Sequence, residues 1–172
     1  MSQRTDIFDL GRLGLHSGEG RRVDTSVEID RLEFGGQRYE SVERSVPVRI
    51  DVSRTVGGYA LHMTLEVQLA GACMRCLEAA SPTIAVDARE VDQPHDGGDE
   101  LSSPYVTGDE LDLRSWARDA LALAFPAQIV CREDCLGLCP LCGENLNEAG
   151  PGHQHEQEPD PRWAKLRELR FE

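Results

Sequence analysis

Aromatic side chains are scarce in this chain of 172 residues: two Trp, three Tyr and four Phe, or 5 % of the total. A core built with so few rings must rest on Val, Leu, Ile and Ala. Lysine is nearly absent, since 17 of the 18 basic residues are Arg and the other is Lys165. We read that bias as genome composition. Positive charge as a whole is short, with 31 acidic residues and a net charge of −13. Broad electrostatic wrapping of nucleic acid is thereby excluded, because such affinity comes from neutralising phosphates with Lys and Arg. A local basic face is still allowed. No apolar stretch approaches the length of a membrane span. The opening Met1-Ser2-Gln3-Arg4-Thr5-Asp6 offers no apolar run of the kind a secretion signal needs. These absences predict a cytoplasmic protein with no membrane contact. Signatures of common enzymes are missing too: there is no Gly-x-Ser-x-Gly, no Walker-type glycine loop and no dinucleotide fingerprint. Most carboxylates fall on strand faces or in a loop, where solvation explains them better than acid–base work. The residues predict no enzyme and no small-molecule substrate.

What is present begins with period-2 alternation. Val23, Thr25, Val27 and Ile29 alternate with Asp24, Ser26, Glu28 and Asp30. Val46, Val48, Ile50 and Val52 alternate with Arg49, Asp51 and Ser53, and after Gly57-Gly58 the residues Leu61, Met63, Leu65, Val67 and Leu69 do the same. Ile84, Val86 and Ala88 repeat the pattern more weakly. Alternation marks strands with one buried face, and the Gly-Gly link marks a hairpin. From Asp92 to Asp112 the order breaks. Seven acidic residues, Pro94, Pro104 and three glycines, with no Lys or Arg, predict a solvated, mobile loop. Asp112 then caps a helix whose Leu113, Trp116, Ala120, Leu121 and Ala124 follow the 3.6-residue period until Pro126. A second, short helix is predicted at the end, after Asp160-Pro161, carrying Trp163, Leu166 and Leu169. The expected fold is α+β: an antiparallel sheet with a packed helix (1–130, acidic loop at 92–112), followed by a zinc-stabilised segment and a terminal helix (131–172).

Zinc enters through sulfur and imidazole. Eight candidate ligands fall into four doublets: Cys73/Cys76, Cys131/Cys135, Cys139/Cys142 and His153/His155. A Cys-x-x-Cys turn aims two thiolates at one point, as one edge of a tetrahedral zinc site requires. In Cys139-Pro140-Leu141-Cys142-Gly143 the glycine permits a left-handed backbone and the proline stiffens the approach. Two pairings are open. One joins Cys73 and Cys76 to Cys131 and Cys135, and Cys139 and Cys142 to His153 and His155, giving two zinc ions. The other holds one zinc on the four C-terminal cysteines and leaves Cys73 and Cys76 free. The first leaves no exposed reactive thiol in the cytosol. Either way four protein ligands leave no place for water, so the metal braces and does not catalyse. Binding of that kind contributes roughly 10–16 kcal/mol in zinc peptides, and the apolar-poor stretch 131–159 has little else to fold it. Alternatives are a redox Cys73-Met74-Arg75-Cys76, an iron–sulfur cluster on the four C-terminal cysteines, and a solvated His153-Gln154-His155. The redox motif normally opens a helix in a βαβ unit, whereas this one ends a strand. The cysteine spacing matches neither common ferredoxin pattern. His16, His62 and His95 are isolated and have no assigned role.

Three stretches together carry a resemblance. They are Cys73-Met74-Arg75-Cys76-Leu77, the run from Cys131 to Asn147 with Cys139-Pro140-Leu141-Cys142-Gly143 at its centre, and Asp160-Pro161-Arg162-Trp163-Ala164-Lys165-Leu166. In this order they resemble the YceD family, bacterial and plastid proteins named for accumulation of large-subunit ribosomal RNA. Leu10-Gly11-Arg12-Leu13-Gly14-Leu15 is similar as well. Where the family often has a further Cys-x-Cys, this chain has His153-Gln154-His155. The resemblance implies a non-enzymatic factor for 23S rRNA accumulation and large-subunit assembly, with ribosomal or pre-ribosomal partners, and it supplies no catalytic residue. Partner contact is expected at Arg75 and at Arg162, Lys165, Arg167 and Arg170 of the last helix, a face that also complements the helix dipole. The competing expectations are a zinc-ribbon adaptor with no ribosomal link, and a thiol redox protein using Cys73 and Cys76.

Overall fold

The structure, a computed structural model, describes residues 7–93, 101–150 and 152–155. Its centre is the longest strand, β6 (Tyr59–Ala72), which has neighbours along both edges. β5 (Val46–Arg54) pairs with its first half through the Gly57-Gly58 turn. β2 (Gly20–Val27) lies outside β5, and β8 (Thr83–Asp92) runs along the opposite edge of β6 from Tyr59 to Gln68. All these pairings are antiparallel. The alternation read from the sequence sets the faces. Val46, Val48, Ile50, Val52, Leu61, Met63, Leu65, Val67, Leu69, Ile84 and Val86 are all buried. On the other face charges meet across strands, with Arg22 on Asp51 at 2.7 Å, Arg49 on Asp24 at 3.0 Å and His62 on Asp87 at 3.0 Å.

Past Gln68, β6 projects beyond β5 and β8, and shorter pieces take over its edges. The hairpin β3 (Leu32–Phe34) and β4 (Gln37–Ser41) turns at Gly35-Gly36, both at positive φ, and β4 pairs with Leu69 and Ala70. On the other edge β7 (Ala79–Ala80) folds back onto Gly71 and Ala72. Gly71 is required here, since a Cβ on it would lie 2.2 Å from the ring of Tyr39. That ring is fully buried, and its hydroxyl donates to the Ala72 carbonyl at 2.9 Å. The projecting end of β6 is thus held firmly, and it leads directly into Cys73.

Helix α1 (Leu113–Ala124) lies on the apolar face of the sheet, burying Leu113, Trp116, Ala117, Ala120 and Leu121. Asp112 caps it as the sequence predicts, accepting from the Ser115 N–H at 3.0 Å. Phe125 at the other end is extended, as the following Pro126 demands. Its ring sits 4.9 Å from Phe34 and 5.8 Å from Tyr39, centroid to centroid. The chain then returns over the end of β6, and Ile129 and Cys135 join the same core as the sheet.

The loop expected over 92–112 is corrected in part. Asp92 ends β8, and its buried carboxylate accepts from the Ser103 N–H at 3.0 Å. β9 (Val106–Thr107) and β10 (Glu110–Asp112) form a hairpin over Gly108, and β10 pairs with β1 (Ile7–Asp9). Val106 and Leu111 anchor it in the core. Two apolar residues in alternate register outweigh an acidic, glycine-rich composition, because strand pairing satisfies the backbone that composition alone would leave to water. Residues 94–100 and the predicted terminal helix, with Trp163, Leu166 and Leu169, lie outside the described residues. Among the described residues no helix is long and apolar enough to cross a membrane. The fold class is α+β, mostly antiparallel sheet with one main helix.

Arg114 of α1 grips Asp30, in the loop after β2, with both arms of its guanidinium, which holds the Asp30 carboxyl below its ordinary pKa. A carboxyl with a lowered folded-state pKa stabilises above its unfolded value of about 4 and loses that contribution as pH falls through the folded value. Asp30→Asn should therefore reduce stability at pH 7 by less than about 1 kcal/mol, given that both side chains are partly exposed. Thermal melts of the two proteins should differ from pH 7 to pH 5 and converge as the pH falls through the carboxyl's lowered folded-state pKa.

Candidate metal centres

The eight sulfur and imidazole donors form two groups of four. In each group the ligand atoms all lie within 4.8 Å of one another. The first joins Cys73 and Cys76 to Cys131 and Cys135, and the second joins Cys139 and Cys142 to His153 and His155. Of the two pairings open in the sequence, the structure assembles the one with two sites. The four C-terminal cysteines are divided between the sites, so the arrangement that would put them on one zinc or one iron–sulfur cluster is not the one formed.

The first group is built where strand β6 ends. Cys73 pairs back through its N–H to the Glu78 carbonyl at 2.7 Å, and the Leu77 N–H closes the turn onto the Cys73 carbonyl at 3.0 Å. Leu77 has φ +64°. Gly143, the residue after the second cysteine of the other knuckle, has φ +76°. The left-handed residue expected after Cys142 is therefore shared by both knuckles, though only one uses glycine for it. Opposite Cys73 and Cys76, residues 129–138 are laid down by main-chain bonds from Met74 N to the Ile129 carbonyl, 2.8 Å, and from Leu138 N to the Arg75 carbonyl, 3.1 Å. Cys73 Sγ lies 3.8 Å from Cys135 Sγ, and Cys76 Sγ lies 3.6 Å from Cys131 Sγ. A regular tetrahedron with Zn–S bonds of about 2.3 Å has S···S edges of about 3.8 Å. The spacing fits such an ion and is far too long for a disulfide.

Electrostatics tell the same story. Burial disfavours the Cys73 thiolate, but the N–H groups of Cys76, Arg75 and Cys131 outweigh it and hold the thiol at about 6. The Asn147 amide, donating to Sγ at 3.5 Å, is the main reason Cys135 is lowered. Cys131 is pushed up to about 12 by burial and by the three thiols around it. The Glu78 N–H favours the Cys76 thiolate, yet burial and its thiol neighbours leave Cys76 raised. Two of the four thiols ionise readily and two resist, as like charges in one small volume must. A divalent cation, if bound, would supply the charge that lets all four serve as thiolates.

The second group is more open. Cys139 is buried and Cys142 exposed. The N–H of Cys142, the His153 ring and the N–H of Leu141 hold Cys139 down at about 6. His153 Nε2 stands 3.5 Å from Cys142 Sγ and 2.9 Å from His155 Nε2, while its Nδ1 faces the Glu144 carboxylate at 3.1 Å. A carboxylate on the outer nitrogen fixes the tautomer that offers the other nitrogen to a metal. Two thiolates and two imidazoles in tetrahedral reach are a donor set that zinc favours.

Arg75 is placed against the metal turn. Its guanidinium donates to Gln128 Oε1 at 3.2 and 3.3 Å and to the Cys135 carbonyl at 3.0 Å. Arg162, Lys165, Arg167 and Arg170 lie outside the described residues. Sequence reasoning missed Glu144, Asn145 and Asn147. An Asn-x-Asn following a knuckle glycine was the signal available, because asparagine is the side chain that both accepts and donates close to its own backbone.

The family described as large ribosomal RNA subunit accumulation protein YceD matches residues 61–170, which include all eight donors. This chain belongs to the YceD family. An uncharacterized protein of Mycobacterium tuberculosis is 40 % identical over 169 residues, covering 94 % of this chain and 79 % of that one. An uncharacterized Mycobacterium leprae protein is 28 % identical over 170 residues, covering 95 % and 76 %. A chloroplastic maize protein, named as a homolog of the same accumulation protein, is 25 % identical over 171 residues, covering 80 % of this chain and 57 % of its own length. No solved structure matches the chain.

Glu144→Gln should weaken zinc retention at the second group about tenfold, the usual effect of removing a carboxylate behind a histidine ligand. Competition against a zinc-binding dye measures it.

Proposed function

We propose that this protein is a non-enzymatic factor for 23S rRNA accumulation and assembly of the large ribosomal subunit, braced by two structural zinc ions and acting in the cytoplasm. The ribosomal part rests on membership of a family named for that accumulation. The observation that carries the non-catalytic part is the saturation of both groups: each presents four protein donors, so a tetrahedral zinc in either has no open position for water or substrate. In this reading 1–130 is the α+β body and 131–172 the zinc-bound tail. Cys73, Cys76, Cys131 and Cys135 hold one ion, and Cys139, Cys142, His153 and His155 the other.

The partner in this reading is a protein of the large subunit or its precursor, with RNA contact confined to a small basic surface. Leu77, Leu136 and Leu141 are each more than half exposed, and all three stand beside cysteines of the knuckles. A net charge of −13 opposes phosphates over most of the surface. Arg162, Lys165, Arg167 and Arg170 are the side chains proposed to meet RNA or an acidic partner. Arg75 contributes by bracing Cys135 and Gln128. The same exposed leucines suit a zinc-ribbon adaptor unconnected with ribosomes, which is the second reading. A redox use of Cys73 and Cys76 fits poorly, since both are buried beside two further thiols.

Depletion of the protein should lower 23S relative to 16S rRNA and reduce free large subunits in sucrose gradients. An unchanged ratio with normal profiles would favour the adaptor reading. Elemental analysis of protein purified without added zinc should find two zinc ions per chain; one ion, or none in protein never exposed to chelator, would contradict the paired sites.

A further inference from the structure

The two metal groups are joined through one side chain. Between Cys142 and His153 the chain makes a loop whose middle is the single turn α2 (Leu146–Ala149), with Asn145 accepting from the Asn147 N–H. The loop is fastened to the knuckle before it by Cys139 N to the Glu144 carbonyl, 2.8 Å, and Leu146 N to the Gly137 carbonyl, 2.9 Å. Asn147 leaves this loop and reaches the other site. Its Oδ1 accepts from Leu136 N at 2.8 Å and from Arg132 Nη2 at 2.9 Å, on either side of Cys135 in sequence. Its Nδ2 donates to Asn145 Oδ1 at 2.8 Å and to Cys135 Sγ at 3.5 Å. Two donors and two acceptors are the whole capacity of a carboxamide, so any movement of α2 breaks bonds around Cys135.

The sites differ in protection. Three of the four cysteines in the first group, Cys73, Cys76 and Cys135, are each no more than 3 % exposed and only Cys131 reaches solvent, whereas in the second Cys142 and His155 face solvent and only Cys139 is buried. The exposed site also draws its ligands from one short stretch, 139–155, while the buried one joins elements 55 and 62 residues apart. On this geometry the exposed site gives up its ion first. Its closing loop is then tethered at one end only, and Asn147 loses the support that aims it at Cys135. Resting on the two-zinc reading above, we propose that occupancy of the exposed site controls how firmly the buried four-cysteine site holds its zinc, with Asn147 carrying the linkage. Such a linkage is reciprocal, as any coupling between two binding equilibria must be.

The test follows exchange of zinc in the full-length, zinc-loaded chain against an isotopically labelled, buffered free-zinc pool that keeps the exposed site filled, with the label counted by native mass spectrometry. Wild type should exchange one zinc quickly, the ion that C142S lacks, and one slowly. C142S, which alters an exposed position and leaves the core intact, should bind one zinc and exchange it about tenfold faster than the slow wild-type phase, the size expected for losing a hydrogen bond to a ligand. N147A should keep both ions but accelerate the slow phase by a similar factor, and N147D, which keeps the acceptor and removes the donor, should do the same. The C142S/N147A double variant should exchange no faster than either single one. An unchanged slow phase in C142S, or multiplying effects in the double variant, would overturn the linkage. Wild-type protein holding fewer than two zinc ions would instead refute the two-zinc reading on which it rests.

Discussion

Everything in the second half of this protein is organised by the meeting of Cys73 and Cys76, at the end of the longest strand, with Cys131 and Cys135, beyond the helix. Cys73 and Cys135 are 62 residues apart, and closing a loop of that length costs conformational entropy that local structure around residues 126–150 has little means to offset. That stretch contributes Ile129, Cys135 and Cys139 to the buried set, and its one helix has four residues. In place of apolar area this stretch has cysteines that meet Cys73 and Cys76 in a group able to hold a metal ion.

The sheet exists to make that meeting possible. β6 outruns β5 and β8, and its projecting end is clasped by β4 on one edge and β7 on the other. Tyr39 locks the projection by packing where Gly71 has no side chain and by donating to the Ala72 carbonyl. The first knuckle thus stands on a rigid strand, not on a loop. The aromatic contacts of Phe125 with Phe34 and Tyr39 fix where α1 ends, and therefore where the chain turns back toward the cysteines. Few as the aromatic residues are, four of them lie at structural joints: Phe34, Tyr39, Trp116 and Phe125.

The long strands were legible because each runs eight residues or more with apolar side chains at alternate positions, and alternation over that length has no helical reading. The helix was legible for the corresponding reason, with Asp112 at its start and Pro126 beyond its end. Shorter pieces were not. β1, β7, β9 and β10 have two or three residues each, below the length at which a period can be counted. They form only because β6 or each other offer backbone partners. Residues 101–112 illustrate the failure well: the acidity and glycines of 92–112 suggested a loop, while Val106 and Leu111 had the register of a hairpin.

At the candidate site the sequence by itself determined the chemistry. Four doublets of soft and borderline donors, at knuckle spacing and in an apolar-poor setting, mark candidate metal ligands whatever the fold. Which doublet faces which was decided only by tertiary structure, because that depends on where β6 ends and where the chain returning after α1 places Cys131 and Cys135. The same holds for the roles of Glu144 behind His153 and Asn147 against Cys135. A residue that acts on a ligand from outside carries no spacing rule of its own, and its partner is known only once distant segments have been brought together.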